Sequence, residues 1–272
     1  MPVSPADKIA ALRALHAAPG AFVIANAWDA GSARVLAGLG FAALATSSGA
    51  AAGILGRRDG AINRAEKLAQ AALIVNAVDL PVSADLEKGF GDRPEDAAET
   101  IRLAVQAGLA GGSIEDATGD AARPLYDPAE AVERIAAAAE AARPSGFMLT
   151  ARAEGFLRGK PDLDDVIRRL QAYEAAGADV LMAPGLPDLE AVRRVCASLS
   201  RPFNFMAGMR GRSFNVADLQ AAGVKRISLA TSLYRAAMSG LAGAAREVLT
   251  TGTFDYVEGG LSSAELNGFY TG

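Results

Sequence analysis

The chain has one cysteine and one histidine in 272 residues. A histidine triad and a multi-histidine zinc site are therefore excluded by count. No disulfide can form within the chain, which suits a reducing compartment. Cys196 lies in LEAVRRVCASL, where helical spacing gives it the setting of a buried or half-buried thiol. Aromatic residues are scarce, at 6%, while hydrophobic residues reach 51% with 29 glycines. That balance fits closely packed helices around a sheet better than an aromatic-rich β sandwich. There is no excess of basic charge: the formal net charge is −4 and the pI about 5.2, so phosphodiester backbones are not expected partners. No apolar run reaches the length of a signal core or a membrane span, and Asp7 and Lys8 precede the apolar positions of the first helical segment. The expectation is a soluble, cytoplasmic protein with no membrane contact. A P-loop and a GxGxxG after the first strand are also missing, which argues against a nucleotide cofactor.

What is present is an alternation. β-prone segments recur at 22–27, 42–46, 81–87, 111–116, 147–153, 179–184, 202–207 and 226–231, and stretches with apolar residues near a 3.6 period lie between them. Gly40, Gly108, Gly177 and Gly223 stand where those helices should stop. Eight strands alternating with helices predict a single α/β domain over 1–272, a (β/α)8 barrel of the TIM type. After the eighth strand, SLYRAAMSGLAGAAREVLT reads as an additional helix. The tail to Gly272 carries Phe254, Tyr256, Leu261, Leu266 and Phe269, so residues 232–272 are expected to pack on the barrel or on a neighbouring subunit.

Strand alternation then sorts the chemistry. In VSADLE, Val82, Ala84 and Leu86 face the helices while Ser83, Asp85 and Glu87 face inward. The same period turns Ser113 and Glu115 inward on one neighbouring strand and Thr150 and Arg152 inward on the next. Three acids at adjacent strand ends repel one another in a partly dry cavity, so a cation is required. A hard divalent ion with oxygen ligands suits them: Mg2+, which keeps several waters and takes few direct carboxylates, with Mn2+ as the alternative. Arg152 supplies one positive charge, enough to pair a substrate carboxylate but not to balance three acids. The loop ALATSSGAAAG offers Ser47, Ser48 and Gly49 to a carboxylate or phosphonate. Asp59, in GRRDGAINRAE, is a candidate for a supporting catalytic role, and the candidates for the protonating group are Tyr126, a metal-bound water, or none at all.

These residues carry a resemblance. NAWDAGSARVLAGLGFAALATSS, SADLEKGFGD, GGSIED, TARAEGFLRG, GADVLMAPG, PFNFMAG and AAGVKRISLA resemble segments of the isocitrate lyase and phosphoenolpyruvate mutase superfamily, along nearly the whole chain. The resemblance implies that Asp85 contacts magnesium, with Glu87 and Glu115 acting through bound waters. It implies that Ser47, Ser48 and Gly49 hold the carboxylate of a 2-oxo acid, with Arg152 and Asn204 as further substrate ligands. Trp28, in the NAWD segment, joins the substrate-binding set. Asp59 matches an acidic position that supports the metal site or, in the mutase branch, acts on the phosphonyl group. A homotetramer, or a homodimer, with the helix after strand eight exchanged between subunits is implied as well.

Two departures matter. The lyases carry a Lys-Lys-Cys-Gly or Lys-Arg-Cys-Gly loop, and the mutases carry lysine, asparagine and serine in that loop, whereas ATGDAARPLYDP follows Asp116 here. A glutamate common in the lyases after strand six is replaced by Pro184. The expected activity is a Mg-dependent lyase that cleaves or decarboxylates a small 2-oxo or 2-hydroxy di- or tricarboxylic acid through a stabilised enolate. The alternatives are a phosphonopyruvate mutase or hydrolase, and a member that binds a 2-oxo acid with little turnover.

Overall fold

The computed structural model of the chain describes residues 3–270; the outermost two residues at each end of the expected domain lie outside it. Eight parallel strands close into a barrel in sequential order: β1 Phe22–Asn26, β2 Leu44–Ala45, β3 Val82–Asp85, β4 Gly111–Glu115, β5 Met148–Arg152, β6 Val180–Met182, β7 Phe203–Met206 and β8 Arg226–Ser228. Closure is made by β1 against β8, with Phe22 opposite Arg226 and Ile24 opposite Ser228. The helices are α1 Pro5–Ala17, α2 Ala30–Gly38, α3 Ser48–Ile54, α4 Arg64–Ala77, α5 Pro94–Gln106, α6 Pro128–Ala142, α7 Leu163–Ala175, α8 Leu189–Ala197, α9 Val216–Ala221, α10 Ser232–Thr251 and α11 Ser263–Gly268.

Local chemistry explains the boundaries. The side chains of Asp29, Asn63, Asp162, Asp188 and Asn215 each accept a backbone N–H in the first turn of the helix that follows, satisfying donors that a helix start leaves orphaned. At the other ends, Gly40, Gly108, Gly177 and Gly223 adopt φ of 95°, 81°, 107° and 94°, the left-handed turn that glycine enters at least cost.

The main core lies between strands and helices, where Val82, Ala84, Leu86, Ile114, Leu149 and Ala151 point outward onto the helix layer. Each fully buried aliphatic side chain of leucine or isoleucine size contributes about 1.5–3 kcal/mol. A second cluster, with Leu12 of α1 against Ile24, Met148 and Val180, closes the barrel at the end where the strands begin. The opposite end stays open, and the inward residues of the carboxyl-terminal strand ends meet there. Helix α10 has no buried residue; its Leu241 and Leu249, and Phe254 beyond its end, are more than half exposed. The end of the tail folds back onto α2, where Arg34 Nη1 donates to the Tyr270 carbonyl at 2.8 Å. Among the described residues no helix is long and apolar enough to cross a membrane.

Candidate active site

A cavity of about 860 Å3 opens at the carboxyl ends of the strands and descends into the barrel. β3 delivers Ser83 and Asp85 to it, β4 delivers Ser113 and Glu115, β5 delivers Arg152, and Asn204 and Ser228 enter from β7 and β8. The two-residue period therefore sorts walls from core as expected. Glu87 also lines the cavity, but by a different route from the one expected. The strand ends at Asp85, and Glu87 sits in the left-handed region at φ 51°, a conformation that costs a non-glycine residue about 1 kcal/mol or more. The turn is held because Glu87 N–H donates to Asp85 Oδ1 at 3.1 Å and the Glu87 carbonyl accepts Glu115 N–H at 2.9 Å. Gly89 follows at φ 89°, where a Cβ would fall 2.9 Å from Ala97 Cα; only glycine lets the loop pass α5.

The centre of the mouth is Arg152. Its Nη1 lies 3.0 Å from Asp85 Oδ1, and its Nη2 lies 3.1 Å from Glu115 and 2.7 Å from Glu154. Arg158 reaches Glu115 at 3.2 Å and Glu154 at 3.5 Å. Burial lowers the basicity of Arg152, but Glu154, Glu115 and Asp85 outweigh it and hold the guanidinium well above its ordinary value. Asp85 is held below the usual carboxylate range: burial opposes its charge, but Arg152 and Lys67 prevail, helped by N–H donors from Glu87 and Ser48. Glu115 goes the other way, raised well above its ordinary value by burial and then by Glu154, although it touches the same arginine. One guanidinium shared by three acids cannot neutralise all of them. Glu87 is pushed up to about 7 by burial, Asp85 and Asp59, and its Oε1 is buried without a hydrogen-bond partner.

Lys67 is a fully buried cation behind this wall, lowered to about 8 by burial. Its Nζ donates to Thr46 Oγ1 at 2.8 Å, and the same oxygen accepts Asp85 N–H at 3.1 Å. Ser47 caps α3 by accepting Ala50 N–H and lies 3.2 Å from Thr231 Oγ1; Ser48 N–H is spent on Asp85 Oδ2 at 3.1 Å. Asp59 lines the cavity with both serines. Gly49 does not line it but backs it, since a Cβ there would lie 3.2 Å from Asp59 Oδ2. Trp28 is not in the cavity wall; its ring packs edge-on to Tyr234 at 5.6 Å. Tyr126 also lies outside the cavity wall. Its hydroxyl donates to Asp92 at 2.5 Å, and the guanidinium of Arg134 lies 4.4 Å from its ring. The loop after β4 lines the cavity with Ala117, Thr118 and Gly119, and its far end returns where Tyr126 N–H donates to the Asp116 carbonyl at 2.9 Å.

Glu154, Arg158 and Lys67 were not singled out from the sequence. Glu154 had a signal, standing two residues beyond Arg152 in TARAEG, one step further along the same alternation. Among the described residues, no three of His, Cys, Asp and Glu are drawn together as a ready-made metal chelate.

The phosphoenolpyruvate phosphomutase family model matches residues 12–249. The chain belongs to that family. A crystal structure from Burkholderia cenocepacia J2315, described only as a lyase/mutase, superposes with a TM-score of 0.96 at 49% identity, covering 98% of this chain and 97% of that one. The structure of 2,3-dimethylmalate lyase, of the PEP mutase/isocitrate lyase superfamily, superposes with a TM-score of 0.87 at 26% identity over 99% of this chain and 95% of that one. The oxaloacetate decarboxylase of Ectopseudomonas mendocina is 35% identical over 202 residues, 71% of this chain and 67% of that protein. The family member described here thus shares a barrel and a sequence pattern with enzymes named for breaking bonds in small carboxylic acids.

Proposed function

We propose that this family member is a Mg-dependent lyase that cleaves a carbon–carbon bond, decarboxylation included, in a small 2-oxo or 2-hydroxy acid bearing more than one carboxylate. The observation that carries this reading is Arg152, fixed by Glu154 and bridging Asp85 and Glu115 at the open end of the barrel.

The donor set fits magnesium. Glu87 Oε1 is an orphaned buried carboxylate oxygen, and burial with Asp85 and Asp59 pushes its carboxyl up, a setting that a hard cation keeping most of its waters would relieve. Asp85 would hold it directly, with Glu87 and Glu115 through waters. When bound, the ion supplies Lewis-acid polarisation of the carbonyl oxygen. The chain's own part is electrostatic. Arg152 is anchored by two bonds to Glu154 Oε1, from Nε at 3.1 Å and Nη2 at 2.7 Å, so its charge is oriented before substrate arrives. It pairs the substrate's carboxylate and opposes the negative charge that develops on the carbonyl oxygen as the bond breaks. Ser47, Ser48, Asp59 and Asn204 bound the space for the rest of the molecule, and Gly49 leaves room for Asp59 beside the serines. Decarboxylation of an oxaloacetate-like acid asks least of this site, because cleavage starts without a general acid, and the 116–128 loop brings neither cysteine nor Tyr126 to the cavity.

The test is an assay with Mg2+ on oxaloacetate, methylisocitrate, isocitrate and phosphonopyruvate. Carbon–carbon cleavage of one of them, lowered at least about 100-fold in Asp85→Ala, is expected. Binding of a 2-oxo acid with no turnover of any would overturn the lyase in favour of a binding protein. Asp59 in the cavity wall favours a second reading, phosphonopyruvate mutase or hydrolase chemistry, for which release of phosphate or formation of phosphoenolpyruvate is the sign. The exposed apolar side chains of Ser232–Thr251 and the tail support assembly into a homotetramer or homodimer, which light scattering measures directly.

A further inference from the structure

Below the mouth the cavity continues to a floor that the chemistry of the mouth does not use. The inward residues of β8 are Arg226 and Ser228, and both line the cavity. Arg226 is only 4% exposed. Its Nε donates to Asn204 Oδ1 at 2.8 Å and its Nη2 to Thr150 Oγ1 at 2.8 Å, while Asn204 Nδ2 is turned away to Ser228 Oγ at 3.0 Å. Its Nη1 is buried with no partner.

The other buried arginines are compensated in ways this one is not. Arg152 has three acids, Arg169 has Asp116 and Asp165, and Arg134 donates to the carbonyls of Lys88, Gly91 and Arg93. Among the described residues, Arg226 has no acid within ion-pair distance, and burial lowers it only to about 10, so it stays charged at neutral pH. From the closed end comes no counter-charge: His16 is pushed down to about 3 by burial and then by Arg226, and is neutral. A buried charge without a partner is costly, and a protein keeps one where a ligand supplies the opposite charge. The cavity has room for one, since small side chains, Ala45, Ser83 and Ser113, line it together with Arg226.

We propose that Arg226, held in place by Asn204 and Thr150, is an anion subsite on the cavity floor that receives the second carboxylate of the substrate. This rests on the reading of the mouth as a 2-oxo acid site. Thr150 and Arg152 are successive inward residues of β5, about 6.6 Å apart along the strand, so the two guanidinium groups are anchored one side-chain layer apart in the same hollow. A short dicarboxylate presents a negative charge to each. A monocarboxylate of the same length leaves Arg226 unpaired.

The test compares two four-carbon acids that differ only in that group, malate and 2-hydroxybutanoate, by calorimetric titration of the Mg-loaded protein. The wild type is expected to bind malate at least about tenfold tighter. Arg226→Met erases that preference while the affinity for 2-hydroxybutanoate stays within about twofold, and Arg226→Lys keeps part of the preference. A folded Arg226→Met that loses nothing, or loses affinity for both acids equally, overturns the subsite and leaves the mouth intact. If Arg226→Met does not fold, a wild type without preference for malate overturns it alone. Binding of neither acid to the wild type overturns the reading of the mouth and the subsite with it.

Discussion

Glu115 and Asp116 are neighbours in sequence and opposites in circumstance. Asp116 points out of the barrel into the helix layer, where Oδ2 accepts the Tyr173 hydroxyl at 2.7 Å and Arg169 at 3.2 Å, and Oδ1 accepts Glu154 N–H at 2.8 Å. Burial still pushes its carboxyl up, but these bonds and Arg169 oppose the shift. Glu115 points inward, where burial is reinforced by Glu154 and Asp85, and Arg152 and Arg158 are shared with those acids. One carboxylate is surrounded until its charge is answered. The other is left in a company of like charges, a condition that a stabilising network avoids and that binding of a cation relieves. Tyr126 belongs to the first company, since its carbonyl accepts Arg169 Nη1 at 3.0 Å.

The contrast predicts opposite phenotypes for adjacent residues. Asp116→Ala strands the Tyr173 hydroxyl, Arg169 and the Glu154 N–H in a buried site, and is expected to cost about 3 kcal/mol in urea unfolding. Its turnover should fall only in proportion to folded protein. Glu115→Gln removes one negative charge from a crowded set; its unfolding free energy should hold or rise, while turnover drops roughly 10–100-fold. Equal destabilisation by both substitutions would break the comparison.

How far these roles could be read beforehand depends on reach. The eight strands, the helix-stopping glycines and the inward set Ser83, Asp85, Ser113, Glu115 and Arg152 followed from periods of 2 and 3.6, which act over a few residues. Glu87 lines the cavity, but alternation assumed a strand where there is a left-handed turn. Tyr126 was legible only as an aromatic in the loop well past the fourth strand, and spacing does not say to which side of the sheet a loop folds. Trp28 likewise sits beside the first strand but packs on Tyr234 of α10. Lys67 and Arg226 act through long side chains that cross from α4 to Thr46 just after β2 and from β8 to β5, and such contacts between distant segments leave no local pattern.

A smaller effect separates the two environments by pH. In metal-free protein, Glu87 is raised from 4.5 to about 7, so its contribution to stability is fully present below about pH 4.5 and is lost as pH rises through about 7. His16, at the closed end, is depressed from 6.5 to about 3, so the unfolded chain takes up its proton first, and stability is lost as pH falls from about 6.5 towards 3. The thermal midpoint should therefore decline on both sides of a weakly acidic optimum. Glu87→Gln should lessen the neutral-side decline, of which Glu115 and Asp116 carry the rest, and leave the acid side, and magnesium should lessen it in the wild type. A Glu87→Gln profile identical to wild type would show that this carboxyl is not under strain.

The smallest expected change is the one at Gly49, which sharpens the comparison because stability and function should move apart within a single methyl group. In Gly49→Ala the new Cβ would lie 3.2 Å from Asp59 Oδ2 and 3.3 Å from Thr231 Oγ1, so both must yield by a few tenths of an ångström. The residue lies in α3, where alanine is favoured over glycine by roughly 0.5–1 kcal/mol, enough to offset most of that crowding. The unfolding free energy should thus change by less than about 1 kcal/mol, whereas a displaced Asp59 should lower turnover a few-fold. A variant that loses stability and keeps full turnover would move Gly49 and Asp59 from the site to the scaffold, in the company of Asp116.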